Sequence, residues 1–244
     1  MCSSSTTRVF RSNLILFFAT SVIIFTSATS LVAEYSSVTL PVTLYGSTIH
    51  YDGLDTVYLV GGTHNEELSG DVIAYSISAD TVQIVGAMPN IGFFGSVQQF
   101  EEDGNEFYYF GGYSDTTGDF SVVYKIEKMG EEELEITELA QLPVDVMYST
   151  SVAINTSTVL IVGGQGMENG LLFFNLDTET GTVVDATLPM ELPYVTSTQV
   201  GDDFYIFGDT RQSSDGGDAI LILNLASMET SLRDVLGFPD VGYF

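Results

Sequence analysis

VYLVGG, Val57 to Gly62, is the stretch on which the fold turns. It returns as FYYFGG at Phe107 to Gly112, VLIVGG at Val159 to Gly164 and FYIFGD at Phe204 to Asp209. The first glycines, Gly61, Gly111, Gly163 and Gly208, are spaced by 50, 52 and 45 residues. Self-similarity at a fixed period of this length marks a repeat architecture, and it has to be read before any local feature.

Each copy has the same neighbours. Upstream lies a strand-like run with a polar bend: STIHYDGLD, GSVQQFEEDGNE, STSVAINTST and STQVGDD. Gly, Asp or Asn at the bend reads as a hairpin. Downstream come a polar loop and a second apolar run: DVIAYSI, FSVVYKI, LLFFNL and AILILNL. A fourth short run follows and ends at a proline, Pro89, Pro143, Pro189 or Pro239. Proline lacks the ladder N–H and suits the exit from a strand. Four strands per unit without helical periodicity predict an all-β chain of four four-stranded propeller blades, over residues 42–89, 90–143, 144–189 and 190–239.

The repeat resembles the kelch repeat. The pairs Gly61–Gly62, Gly111–Gly112 and Gly163–Gly164 match its double glycine, and Asp209 breaks the fourth pair after Gly208. Tyr75, Tyr124 and Phe174 match the aromatic of the following strand, where the fourth copy has Leu223. The tryptophan position holds Val82, Ile136, Val183 and Leu232, so the repeats are degenerate. The glycines read as structural: a strand leaving for a surface loop needs a tight turn, and a Cβ there crowds the next blade.

Kelch-like rings usually have six or seven blades, and the resemblance implies that four are part of such a ring. EYSSVTLP, Glu34 to Pro41, reads as a fourth strand with its proline, placed before the first blade. FPDVGYF, Phe238 to Phe244, repeats MPNIGFF, Met88 to Phe94, which opens the second blade. Residues 240–244 are therefore expected to start a fifth blade, and the chain reads as a fragment. A natural four-bladed propeller is the alternative.

Residues 1–33 read as a secretory signal. Arg8 and Arg11 precede a mostly apolar run, Leu14 to Phe25, and a small, polar stretch that allows cleavage after Ser30 or Ala33. The rival is an uncleaved anchor, since no charge occurs from Ser12 to Ala33. Either way the propeller, 34–244, is expected outside the cytoplasm, secreted or held as a type II membrane ectodomain.

Beyond that segment four bases face all 33 acids, a formal charge of −29. Such a surface repels nucleic acid and anionic lipid. A membrane partner is expected only if the N-terminal segment stays attached. Cys2 is the one cysteine, which excludes disulfides and thiolate sites from the propeller. Asp and Gly clusters such as EEDGNE (Glu101 to Glu106), SDTTGD (Ser114 to Asp119) and SSDGGD (Ser213 to Asp218) lack the EF-hand order and read as turns. His50 and His64 lack metal-site spacing, and His50, in a first strand, reads as a satisfied structural imidazole. No metal, cofactor or catalytic residue is expected. Kelch-type copper chemistry, as the resemblance implies, would need a cysteine that this region lacks. Asn155-Thr156-Ser157 is a glycosylation candidate in a hairpin turn.

The remaining candidates lie in loops. In kelch-like propellers partners bind the face made by the loops after the glycine pair and the connections between blades. Here the first set supplies His64, Asn65, Glu66, Tyr113, Asp115, Gln165 and Arg211, and the second supplies Phe93, Phe94, Tyr148 and Tyr194. Aromatics mixed with polar groups suit a binding surface. The expected function is non-catalytic binding of a protein or a glycan. The alternative is an extracellular carbohydrate-active enzyme, a sugar epimerase or lyase of kelch-like fold.

Overall fold

The computed structural model describes residues 14–18, 21–25, 36–64, 67–90, 92–100, 104–114, 118–119, 121–130, 133–184, 188–208 and 219–234. Two compact units result, Met1–Thr39 and Leu40–Phe244. In the first, Leu14–Phe18 pairs with Ser21–Phe25 as an antiparallel hairpin. No helix of the described residues is long and apolar enough to cross a membrane.

The second unit is a β-propeller of four blades. Each blade is an antiparallel sheet whose strands neighbour one another in chain order. Blade 1 is Thr48–Tyr51, Thr56–Val60, Asp71–Ser76 and Thr81–Ala87. Blade 2 is Ser96–Gln98, Glu106–Phe110, Val122–Lys128 and Leu134–Gln141. Blade 3 is Thr150–Ala153, Thr158–Val162, Leu171–Asn175 and Thr180–Val184. Blade 4 is Val195–Val200, Asp203–Gly208, Ala219–Asn224 and Thr230–Asp234.

The fourth strand of blade 4, Thr230–Asp234, holds Leu232, the residue at the tryptophan position. The expected strand at EYSSVTLP is absent over residues 36–41. There the Val38 N–H donates to Ser36 Oγ at 3.1 Å, a local bond that competes with a ladder. Residues 240–244, with the expected fifth-blade start, lie outside the described residues.

Three hydrophobic cores lie between successive blades. The first joins Tyr58, Val60 and Val72 to Phe107, Tyr109 and Tyr124. The second joins Tyr108, Phe110 and Val123 to Val159, Ile161 and Phe174. The third joins Leu160, Val162 and Leu171 to Phe204, Ile206 and Leu221. No such core joins blade 4 to blade 1 among the described residues.

Burial records this order. Phe107, Tyr108, Tyr109 and Phe110 are all buried, as are Val159 to Val162, because a blade covers each face of their sheet. In the second strand of blade 1 Tyr58 and Val60 are buried, while Val57 and Leu59 are half-buried; in that of blade 4 Phe204 and Ile206 alternate likewise with Tyr205 and Phe207. The strands are equally apolar in sequence. The number of neighbouring sheets differs, although Ile73, paired with Leu59 in blade 1, is itself buried.

The blades are also tied by charge. Asp52, 2% exposed in the first hairpin of blade 1, pairs with Lys128 of blade 2 at 2.7 Å. Asp52 Oδ1 also accepts from the N–H groups of Leu54, Asp55 and Thr56. Burial opposes its charge, but the Lys128 ammonium and these backbone donors outweigh it and hold the carboxyl down at about 2. His50 is pressed on Phe107, ring centroids 4.6 Å apart, and pairs with Gln99 at 2.8 Å. Burial pulls its pKa down, which favours the neutral ring.

Candidate functional site

The connections between blades and the loops after the glycine pairs meet at one end of the sheets. Three isolated antiparallel bridges join them: Tyr45 to Thr63, Phe93 to Tyr113 and Met147 to Gln165. The glycine pair allows this approach. Gly111 and Gly112 have φ of 65° and 107°. A Cβ on Gly111 would lie 2.3 Å from the Val146 carbonyl oxygen of the next connection, and one on Gly112 2.9 Å from that of Phe93 in its own. Gly112 N–H donates to Val146 O at 2.8 Å, and Gly164 N–H to Leu192 O at 2.8 Å. Gly208 lacks the positive φ of the three pairs.

The residue after each bridge adopts a left-handed backbone. It is Gly46 in blade 1, φ 73°, but Phe94 and Tyr148 in blades 2 and 3, φ 62° and 58°. Such φ values are uncommon for bulky side chains and persist only where the surroundings impose them. Here a chain of backbone bonds does so. Phe94 N–H donates to Gly46 O at 3.0 Å, Tyr148 N–H to Phe94 O at 2.8 Å, and Val195 N–H to Tyr148 O at 3.1 Å. The spine passes through all four blades.

Aromatic rings follow it. Tyr45 meets Phe94 edge-on at 5.6 Å, Phe94 stacks on Tyr148 at 4.1 Å, and Tyr148 meets Tyr194 edge-on at 4.7 Å. Phe93 extends the row to Tyr113, 5.3 Å away. Phe94, Tyr148 and Tyr194 are half-buried and Tyr45 is exposed. Gln165 Nε2 donates to the Tyr194 hydroxyl at 2.6 Å.

The structure thus brings together Phe93, Phe94, Tyr113, Tyr148, Gln165 and Tyr194. His64 stands apart on Thr43, with its Nδ1 3.1 Å from both the hydroxyl and the carbonyl oxygen. Asn65, Glu66, Asp115 and Arg211 lie outside the described residues. Asn155 is in the turn before Thr158, at the strand end opposite Gly163, and its Oδ1 accepts from the Ser157 and Thr158 N–H groups. Among the described residues no group of three or more His, Cys, Asp or Glu could hold a metal ion.

Sequence reasoning missed the wall beneath these rings. The two positions after the left-handed residue read Ser47–Thr48, Gly95–Ser96, Ser149–Thr150 and, in the same place of blade 4, Thr196–Ser197. With Phe94, Tyr148 and Val195 they line a concavity of about 470 Å³, and no charged residue is among its described lining residues. A Cβ on Gly62 would lie 2.5 Å from Ser47 Oγ, and one on Gly112 2.8 Å from the Tyr109 hydroxyl. Blade 2 therefore puts Tyr109, reaching under Gly95, where blade 1 has Ser47. The Gly95 N–H donates to that hydroxyl at 3.1 Å, and burial drives its pKa up. The signal is a pair of hydroxyl residues at the head of the first strand in blades 1, 3 and 4, with Gly95–Ser96 in its place in blade 2.

No family model matches the chain, and no curated protein does. A solved structure does match. The chain is similar to YjhT. The TM-score is 0.64 over 82% of this chain and 68% of YjhT, with 15% sequence identity. At that identity the likeness concerns the fold. The rings and hydroxyls belong to this chain's own structure.

Proposed function

We propose that the chain is a secreted or cell-surface propeller of kelch type that binds a protein or glycan through this face and does no chemistry on it. The observation that carries the reading is the ring row Tyr45, Phe94, Tyr148 and Tyr194, with left-handed backbone at two of its members. Strained aromatics held half-exposed at a concave rim are costly for folding alone and suit a contact surface. Arg8, Arg11 and the apolar run after them support secretion, and the six left-handed glycines of the three pairs support the kelch assignment.

The test is capture. The secreted chain, immobilised, is exposed to extracellular proteins and glycans beside a Phe94→Ala/Tyr148→Ala variant of matched thermal unfolding. The reading expects a ligand lost in the variant and recovered chemically unchanged from the native chain. Capture that ignores the variant contradicts the site. Conversion of a bound sugar, followed by NMR, supports the epimerase or lyase alternative instead. N-terminal sequencing of the secreted protein tests the signal: a start at Leu31 or Glu34 is expected, and an intact N-terminus on the membrane contradicts it.

A further inference from the structure

We infer that the wall beneath the aromatic rim binds a neutral, polyhydroxylated ligand of carbohydrate type. The inference rests on the binding-module reading and names its ligand class.

Charge is the first argument. The chain carries 33 acids, yet among the described residues no acidic or basic one lines the concavity. A phosphate, sulfate or carboxylate would find no ionic partner among those described residues, and a polycation would be held by the outer surface instead.

Unsatisfied hydroxyls are the second. Among the described residues, the buried side-chain groups with no hydrogen-bond partner are Ser47 Oγ, Ser96 Oγ and Ser149 Oγ. All three serines line this concavity. Ser96 and Ser149 are only 6% and 7% exposed. Folded proteins pair such groups almost always; each of these oxygens is covered in the free wall, and a χ1 rotation of its serine turns it toward an occupant. Three on one wall ask for an occupant with several polar atoms. Their neighbours are engaged: Thr48 Oγ1 donates to Gly95 O at 2.8 Å, and Thr150 bonds to Ser197. A ligand hydroxyl both donates and accepts, so it can meet a serine in any rotamer.

Shape is the third. The cavity falls within the range of small-ligand sites, roughly 300–1,000 Å³. Phe94 and Tyr148, stacked on each other, line the same concavity, and the aromatic pair suits the apolar C–H side of a sugar. A purely apolar ligand would strand the serines, and separate waters would satisfy them without using the rings.

The experiment is calorimetric titration of the secreted chain with cellobiose, lactose, mannobiose and chitobiose, and with sialyllactose and digalacturonate as charged counterparts, at low and high salt. At least one neutral disaccharide is expected to bind, with little salt dependence. Ser96→Ala/Ser149→Ala should weaken it by about tenfold or more. The same variant should unfold at an equal or higher temperature, because the lost hydroxyls have no partner in the free protein. Preference for the charged sugars, no neutral binding at about 20 mM, or unchanged affinity in the variant overturns the inference. If neutral sugars fail while another ligand is still captured through Phe94 and Tyr148, the binding-module reading stands without it. If sugars bind equally to the Phe94→Ala/Tyr148→Ala variant, the rim reading falls and the wall stands alone.

Discussion

Tyr148 stacks its ring on Phe94 at 4.1 Å, with 29° between the planes, and donates its N–H to the Phe94 carbonyl at 2.8 Å. Backbone and side chain thus carry the same contact from blade 2 to blade 3. Gly46 holds the matching position in blade 1, and a Cβ there would lie 2.7 Å from the Phe94 ring. One position, three residues and one φ region show that the conformation belongs to the architecture, and that the rings are an addition to it.

Phe94→Gly separates the two. It releases backbone strain of about 1–3 kcal/mol and removes aromatic contacts of about 0.5–1.5 kcal/mol. Chemical denaturation should find stability from about 0.5 kcal/mol below to about 2.5 kcal/mol above the parent, while ligand capture falls at least about tenfold. A large loss of stability would mean that the ring serves the fold.

The glycines offer a paired comparison. Gly111 and Gly201 have nearly the same φ, 65° and 62°, but a Cβ would meet Val146 O at 2.3 Å in the first and nothing within 4 Å in the second. Gly201→Ala should cost about 1 kcal/mol for the backbone alone. Gly111→Ala must also move the connection to blade 3 and should cost at least about twice that. Equal losses would show that space at Gly111 is not limiting.

Asp52 and Lys128 set an acid limit. The Asp52 carboxyl is depressed to about 2 from 3.8. Its stabilisation, about 2 kcal/mol, is therefore complete above pH ~4–5 and is lost as pH falls toward ~2. Asp52→Asn should flatten the stability profile in that window. Lys128→Met leaves a buried carboxylate unpaired and should cost about 3–5 kcal/mol at neutral pH. His50, whose pKa is lowered by burial, adds a separate loss below pH ~6.5, because the unfolded chain takes its proton first. An unchanged profile in Asp52→Asn would remove the ion pair from the account.

Blade order can be read from mutational cost. Leu59 and Ile161 hold the same place, two residues before the first glycine. Ile161 is fully buried, and Leu59 is half-buried. Ile161→Ala should cost about 2–5 kcal/mol, and Leu59→Ala less than half as much. Equal costs would show that another surface covers blade 1.

Much of the fold was legible because its signals are local. The VYLVGG series, the bends and Pro89 or Pro143 each act within a few residues, so four sheets followed from them. EYSSVTLP misled because a strand-like composition says nothing of a partner strand. The half-burial of Leu59 and Phe207 was hidden because it depends on which sheets lie alongside. At the site, Phe94, Tyr148 and Tyr194 stood out as aromatics in connections. Ser47, Ser96 and Ser149 did not, because a serine heading a strand looks ordinary until its missing partner and the uncharged wall are seen together.

The most direct test of a ligand seated on this face is amide hydrogen exchange, with and without the bound ligand. The account predicts joint protection of 45–49, 94–98, 148–151 and 195–197, contributed by all four blades, with little change in the outer strands. Protection confined to 81–87, 134–141 or 180–184 would contradict it and place the ligand on the rim of the propeller.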